Sequence, residues 1–393
     1  MNFIFISPNF PQIYYNFVVA LKKRGITVLG IGDAEYYKIS QELKDNLEEY
    51  CATDLNNYEY VKNTVSYLQN KYGHIDYIES NNEYWLELDS KLRYDFNVQN
   101  GLMPYELEKL KSKECMKEFY KKALVKTARY IRPSKENVIK FVRLVGYPVF
   151  VKPVVGVGGQ ESYKISNNKE LRTFLEREDI SRFIMEEYVN GDLISFDGIA
   201  DSNSNIVVYC KEYFYNQGSD LVVFDLDEMY YQDPFVDNKL LDIGKRVVKA
   251  FEVKKRVFHS EYFVLKEDKR GLGKKGDIIP IEVNLRSPGG NTMDLLNAAL
   301  GVSTYEIYAD IICYDENRQE KGILKYACAS SRKDRYNYKH SHEEVLDKYK
   351  DSIFSYGRYS KALAPELGDS YYFITGDTLE AIYEFDSYVR DKI

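Results

Sequence analysis

The chain has 393 residues, enough for about two to four structural units and for large hydrophobic cores that need no disulfide or metal support. Its 54 Lys and Arg residues are outnumbered by 61 Asp and Glu residues, and this net charge of −7 argues against a nucleic acid or an anionic membrane as main partner. The five cysteines form no Cys-x-x-Cys pair and no segment approaches the roughly 18 apolar residues of a membrane span, so we expect a cytoplasmic protein without disulfides or a zinc knuckle.

The first hundred residues alternate short apolar runs with amphipathic stretches. The runs at 3–6, 26–31 and 75–79 are typical of buried strands, and helical patterns separate them. Strands and helices in this order predict a parallel sheet with βαβ crossovers, that is, a Rossmann-like domain over 1–100. The loop at 7–11 lacks the Gly-x-Gly-x-x-Gly pattern of dinucleotide sites, so NAD is not predicted here.

A basic helix and a glycine-rich loop are predicted next. Pro104 is typical of a helix start, and the amphipathic pattern predicts one helix over 105–123. The strand predicted over 147–153 carries Lys152 and is followed by glycines at 156–159. Backbone N–H groups of such a loop can surround phosphate oxygens while the lysine supplies charge. Taken alone, each feature is equally typical of an ordinary turn or a solvated strand end.

Two later runs predict neighbouring strands with polar residues on one face. Glu282, Asn284 and Arg286 alternate with apolar residues, so they share a face. Residues 270–277 have the composition of a hairpin loop, which predicts antiparallel pairing with the preceding run and brings Glu261 beside Glu282. Three oxygen ligands on one surface favour Mg²⁺ with a nucleotide phosphate. A strand with one solvated face is the alternative.

Together these segments resemble the ATP-grasp superfamily of carboxylate–amine and carboxylate–thiol ligases. The resemblance runs from about Lys113, at the position of the first nucleotide lysine, to Gly290. Its most specific stretch, IEVNLRSPGG at 281–290, looks like the Glu-x-Asn-x-Arg-x-x-Gly-Gly metal strand of the family. YPVFVKP at 147–153 is similar to the strand with the second nucleotide lysine, and MEEYVNG at 185–191 looks like the hinge between the two lobes that clamp ATP.

The resemblance implies a role for each matched residue. The residues implied to bind ATP are Lys113, Lys152, Gly156, Gly158, Gly159, Glu186, Val189, Asp192 and Lys211. The residues implied to bind Mg²⁺ or Mn²⁺ are Glu261, Glu282 and Asn284. Arg286 and Lys152 are the implied catalytic residues, with Arg286 facing the phosphates or an acyl phosphate. Leu193 stands where the family has a ribose-binding glutamate, so Asp192 is the candidate substitute, and Lys211 is equally well read as a solvated strand lysine.

The implied reaction joins a carboxylate to an amine. The carboxylate attacks the γ-phosphate of ATP to give an acyl phosphate, and the amine then displaces phosphate. Small-molecule substrates are expected, most often an amino acid or small peptide. Two alternatives stay open: a catalytically weak or inactive ATP-binding regulatory protein of the same fold, and a single-module enzyme like carbamoyl phosphate synthase. A homodimer also stays open, and neither a nucleic acid nor a membrane is expected as a partner.

The expected architecture is α/β, of the α+β ATP-grasp type. A pre-ATP-grasp domain over 1–100 precedes an ATP-grasp domain over 101–315. Within the latter, 101–186 is the lobe with the lysines and the glycine loop, and 187–315 is the lobe with the metal site. A C-terminal subdomain over 316–393 completes the clamp and carries no chemical motif.

Overall fold

The computed structural model describes residues 1–155, 161–215, 227–361 and 363–393. These residues form three sheets, two of four strands and one of eight. None of the helices in the described ranges combines the length and the apolar character that crossing a membrane requires.

The first sheet is parallel, as the sequence predicts, and its strands have the order β3-β2-β1-β4. Its strands are β1 (Asn2–Ile6), β2 (Thr27–Gly32), β3 (Glu49–Ala52) and β4 (Tyr77–Glu79). Its helices are α1 (Tyr15–Lys23), α2 (Gln41–Asn46), α3 (Tyr58–Tyr72) and α4 (Leu86–Asp95). Phe3 and Phe5 pack with α1, whereas Ile4 and Ile6 pack with α3, so both faces of β1 are buried. Burial on both faces explains why its sequence is continuously apolar.

The second sheet is antiparallel and has the order β5-β8-β6-β7. Its strands are β5 (Tyr130–Ile131), β6 (Val149–Pro153), β7 (Tyr163–Ile165) and β8 (Phe183–Glu187). Two helices cover its apolar face, α7 (Val138–Val145) and α8 (Asn168–Leu175).

The single helix predicted over 105–123 is wrong. The structure has a 3₁₀ turn (Pro104–Glu106) and two helices, α5 (Glu108–Lys111) and α6 (Lys113–Lys122). Ser112 breaks the helix, because its backbone is extended (φ −88°, ψ 111°) and its hydroxyl accepts a hydrogen bond from the N–H of Cys115. Serine is a favoured N-cap for this reason.

The third sheet has the order β13-β12-β9-β10-β11-β14-β16-β15, with antiparallel neighbours throughout. Its strands are β9 (Gly191–Ala200), β10 (Ile206–Phe214), β11 (Met229–Asp233), β12 (Arg256–Leu265), β13 (Ile278–Asn284), β14 (Tyr326–Arg332), β15 (Ile353–Arg358) and β16 (Ser370–Gly376). The remaining helices are α9 (Asn238–Ala250), α10 (Thr292–Leu300), α11 (Thr304–Tyr314), α12 (His342–Lys348), α13 (Ala364–Leu367) and α14 (Leu379–Arg390). Strands from the C-terminal region therefore extend the same sheet that carries the predicted metal strands.

A buried group of charges joins the first sheet to the third. Glu79 at the end of β4 pairs with Arg93 of α4 (3.4 Å) and with Arg256 at the start of β12. All three side chains are at most 7% exposed. Removal of one partner would leave a buried charge uncompensated, so this cluster fixes the N-terminal domain against the large sheet.

Asp89 makes the stability of this cluster depend on pH. Its carboxylate is fully buried and accepts hydrogen bonds from the backbone N–H (2.9 Å) and the hydroxyl (2.6 Å) of Ser80. Burial and the nearby charge of Glu79 raise the pKa of Asp89 to about 8. An unfolded aspartate titrates near pH 3.9, so the folded protein holds an extra proton between these two pKa values. The free energy of unfolding therefore falls as the pH rises through this window.

We expect Asp89→Asn, which stays uncharged, to remove this pH dependence. Relative to the wild type, the variant should gain about 3 kcal/mol of unfolding free energy between pH 6 and pH 9, measured by urea denaturation. The exposed Asp45→Asn variant on α2 is the matched control and should leave the pH profile unchanged. An Asp89→Asn profile parallel to that of the wild type would contradict a buried protonated carboxyl group.

Candidate active site

The predicted metal ligands lie together on β12 and β13. Glu261 is directly opposite Glu282, and His259 is directly opposite Asn284, in an antiparallel pair. The amide of Asn284 donates a hydrogen bond to Oε1 of Glu282 (3.1 Å). Glu261 and Glu282 are only partly buried. Two carboxylates and an amide oxygen thus share one accessible surface, and such hard oxygen donors are what Mg²⁺ prefers.

His259 contacts two carboxylates, those of Asp197 and Glu261. Its Nδ1 lies 2.6 Å from Oδ1 of Asp197 and its Nε2 lies 3.2 Å from Oε1 of Glu261. Burial opposes the charged imidazole, but the two carboxylates outweigh burial and raise the pKa of His259 to about 10. A hydrogen-bonded imidazole holds a ligand carboxylate in one orientation. The contacts of His259 are those of a positioning residue.

Asp197, Glu212 and His259 form a buried cluster on the same face of the sheet. Their ligand atoms lie within 4.8 Å of one another. The hydroxyl of Ser195 donates to Oδ2 of Asp197 (2.6 Å). Burial and the charge of Asp197 raise the pKa of Glu212 well above its usual range.

Two lysines, one on α6 and one on β6, form ion pairs with Glu186 on β8. Nζ of Lys152 lies 2.9 Å from Oε2 of Glu186, and Nζ of Lys117 lies 2.6 Å from its Oε1. Burial would raise the pKa of Glu186, but the two ammonium charges outweigh it and lower the pKa to about 2. Lys117 was not predicted, although it lies one helical turn after Lys113 and therefore on the same side of α6.

Lys113 is the first residue of α6 and lies on the same side of this helix as Lys117. Its backbone N–H donates to the carbonyl of Val154 (2.9 Å), which fixes the start of the helix against the end of β6. Burial lowers the pKa of Lys113, while the charges of Glu282 and Glu186 act in the opposite direction. α6, which begins at Lys113, also packs against β13, the strand of Glu282.

Arg286 is ion-paired across the domain boundary. Its Nε lies 2.8 Å from Oε2 of Glu83, in the 3₁₀ helix Glu83–Trp85 of the N-terminal domain. Its Nη1 donates to the carbonyl of Ser287 (2.8 Å). Burial opposes the charge of Arg286, but Glu83 outweighs burial and raises its pKa. Glu83 was not predicted as a site residue.

Tyr14 links the parallel sheet to the segment that contains Arg286. Its hydroxyl donates to the backbone carbonyl of Asn81 (2.8 Å), just after β4, and it also lies beside Ser287, the residue that follows Arg286. Oδ1 of Asn9, which follows β1, is buried and has no hydrogen-bond partner among the described residues. The loops after β1 and β4 therefore place polar groups at this edge of the sheet.

Comparison with known proteins identifies the fold around this site. Residues 111–288 match the model of the ATP-grasp domain. The chain contains an ATP-grasp domain. This match confirms the resemblance to the ATP-grasp superfamily that the sequence indicates.

Solved structures share the ATP-grasp architecture over the full length. An L-amino acid ligase from Bacillus licheniformis has a TM-score of 0.73 at 14% identity, covering 100% of this chain and 97% of that one. The N5-carboxyaminoimidazole ribonucleotide synthetase from Thermotoga maritima has a TM-score of 0.69 at 17% identity, covering 99% and 98%. The biotin carboxylase domain of a 2-oxoglutarate carboxylase from Hydrogenobacter thermophilus, solved with MgADP, ADP and bicarbonate, has a TM-score of 0.69 at 17% identity, covering 97% and 88%. At these identities the likeness establishes the fold alone.

Asp192 and Lys211, which the family resemblance implies bind ATP, face away from the predicted metal ligands. Glu261 is directly opposite Ser195 on β9, and Ser195 is directly opposite Glu212 on β10. Side chains alternate along a strand, so Asp192 and Lys211 lie on the other face of the sheet. There Asp192 pairs with Lys266 (2.7 Å) and Lys211 pairs with Asp233 (2.8 Å). The structure does not bring either residue to the surface that carries Glu261.

The predicted ATP-grasp hinge is held by charged side chains. Glu187 accepts hydrogen bonds from the backbone N–H (2.8 Å) and the guanidinium (3.0 Å) of Arg129, and Lys269 donates to the carbonyl of Tyr188. The implied binding of ATP by Glu186 and Val189 stays a prediction. Three further predicted phosphate contacts lie outside the described residues: Gly156, Gly158 and Gly159.

Proposed function

We propose that the protein is an ATP-dependent ligase that joins a carboxylate to an amine through an acyl phosphate. The observation that carries this proposal is that Glu261 lies directly opposite Glu282 on β12 and β13, with α6, the helix that begins at Lys113, packed against β13. ATP and Mg²⁺ or Mn²⁺ are the proposed cofactors. The donor set of Glu261, Glu282 and Asn284 fits such an ion, because two carboxylates and an amide supply the hard oxygen ligands that it prefers.

The chemistry requires charge neutralisation more than a strong acid or base. ATP carries about four negative charges, and phosphoryl transfer depends mainly on positioning and on stabilising charge on the moving group. Lys113 and Lys152 would hold the phosphates, and Arg286 would stabilise the acyl phosphate. Glu261, Glu282 and Asn284 would hold Mg²⁺, which would neutralise charge on the transferred phosphoryl group.

The reaction balances without any further reactant. A carboxylate oxygen forms a bond to the γ-phosphorus, and the bond to the β-phosphate oxygen breaks to release ADP. The amine nitrogen then attacks the acyl carbon, phosphate leaves, and the nitrogen loses a proton to give the amide. His259 takes no part in these bonds and instead holds Glu261 in place.

An amino acid is the substrate that the ion pair of Arg286 and Glu83 fits best. The two groups have opposite charges 2.8 Å apart at the boundary between domains. A zwitterion presents a carboxylate and an ammonium group with matching opposite charges, so it can replace the ion pair without leaving either side chain uncompensated. The L-amino acid ligase of similar fold acts on amino acids, as its name states.

Product analysis tests this function. Purified protein should release ADP when given ATP, Mg²⁺ and amino acids singly or in pairs, and mass spectrometry should detect the corresponding dipeptide. ATP binding without ADP release for any acid and amine would contradict ligase activity and favour the regulatory alternative. Formation of carbamoyl phosphate from bicarbonate and ammonia would instead support the other alternative, a single-module enzyme like carbamoyl phosphate synthase.

A further inference from the structure

A cavity of about 510 Å³ opens at one end of the large sheet, near β15. Arg332 of β14 and Arg358 of β15 both lie directly opposite Ser370 of β16, so their side chains share one face of the sheet. All three residues line the cavity. Cavities of about 300–1,000 Å³ are typical of small-molecule sites.

This cavity and the candidate active site lie on opposite faces of the sheet. Ser330 donates to Asp386 of α14 (2.8 Å), so the even-numbered residues of β14, Arg332 included, face α14. Glu212, beside the predicted metal ligands, is directly opposite Gln232, which is directly opposite Ala327. Odd-numbered residues of β14 therefore face the active site, and a ligand in the cavity would not touch ATP.

The lining of the cavity is mainly cationic. Arg332, Lys333 and Arg358 line it together with a single carboxylate, that of Asp334. Asp334 is paired with Arg358 (3.1 Å) on the exposed side. Arg332 is only 7% exposed, and its Nε donates to the carbonyl of Val389 (2.7 Å). A guanidinium held in one orientation presents its charge in a fixed direction, which suits an oxyanion.

Aromatic side chains form the walls. The tyrosines whose rings lie on this side are Tyr336, Tyr338, Tyr356 and Tyr372, whereas Tyr371 borders the cavity but lies directly opposite Ser331 and packs its ring on the other face of the sheet. The guanidinium of Arg332 lies 4.6 Å from the ring centroid of Tyr338, whose hydroxyl donates to Asp227 (2.9 Å). His342 shares a hydrogen bond with the hydroxyl of Tyr372 (2.8 Å). Rings fixed in this way can stack on a planar ligand without first being ordered.

We propose that this cavity is a second ligand site, which binds a small planar molecule carrying a phosphate ester or a carboxylate. The oxyanion lies against Arg332 and Arg358, and the ring lies among the tyrosines. The substrates of the proposed ligation bind on the other face of the sheet, so this ligand is neither of them and is suited to a regulatory role.

Calorimetric titration of the full chain with phenyl phosphate and with benzoate tests the proposal. At least one probe should bind below about 10 mM, and Arg358→Gln should weaken that binding by about five-fold or more. Tyr356→Ala should also weaken it, and because both side chains are exposed, neither change should prevent folding. Tighter binding of phenyl phosphate would assign a phosphate ester, and tighter binding of benzoate would assign a carboxylate.

Two further variants separate this site from other basic surfaces. Arg143→Gln, an exposed arginine on α7, should leave probe binding unchanged, and so should Lys152→Met in the active site. Loss of binding in Lys152→Met would place the probe in the ATP site and overturn the proposal. No binding of either probe, or equal binding by the wild type and Arg358→Gln, would also overturn it. Inorganic phosphate that binds as tightly as phenyl phosphate would refute the role of the tyrosines.

Discussion

Glu282→Gln is expected to reduce ADP release by about a hundred-fold to a thousand-fold, because a neutral amide replaces one of the two facing carboxylates of the candidate metal site. Glutamine has nearly the same size, so the pairing of β12 with β13 should persist. The remaining activity should require more Mg²⁺, since Glu261 and Asn284 would be the remaining ligands of the three. Steady-state rates measured across a series of Mg²⁺ concentrations would show both effects.

Glu267→Gln is the matched control for this variant. Glu267 lies just after β12 and is exposed, and its carboxylate accepts a hydrogen bond from Asn190 (3.0 Å). The same chemical change at this position should leave the rate and the Mg²⁺ requirement unchanged. Wild-type turnover in Glu282→Gln would refute the metal assignment, whereas an equal loss in both variants would indicate a structural effect on the hairpin.

The pairing of β12 with β13 could be predicted because its determinants are local. Alternation along 281–286 fixes which side chains share a face, and the composition of 270–277 indicates the turn. The structure has a register shift between Glu261 and Tyr262, which alternation does not reveal. Because the shift comes after Glu261, the pairing of Glu261 with Glu282 is preserved.

Contacts between distant segments could not be predicted in this way. Glu83 lies 203 residues before Arg286, in a 3₁₀ helix that follows the first sheet, and no periodicity relates the two. The faces of Asp192 and Lys211 depend on how β9 and β10 are aligned with β12, which only the folded sheet defines. Ser112, in contrast, carried a local signal, since a serine within a helical pattern can act as an N-cap.

Arg93→Met is expected to cause the largest loss of stability, about 3–5 kcal/mol of unfolding free energy. Arg93 is fully buried, pairs with Glu79, and donates to the carbonyls of Ile78 (2.5 Å) and Leu102 (2.9 Å). Methionine fills similar space but cannot donate to these carbonyls. Of the two ion pairs of Glu79, the one with Arg256 would remain. Denaturant titration followed by circular dichroism would measure the loss.

Lys91→Met provides the control, since Lys91 is on the exposed side of the same helix, α4. It tests whether loss of a positive charge from α4, rather than loss of the buried contacts, destabilises the protein. We expect a change within about 0.5 kcal/mol, as for most surface substitutions. If Arg93→Met were equally mild, the charge cluster would not be what holds the N-terminal domain against the large sheet. A large loss confined to Arg93→Met would instead mean that this domain, which supplies Glu83 to the candidate active site, is held in place by buried charge.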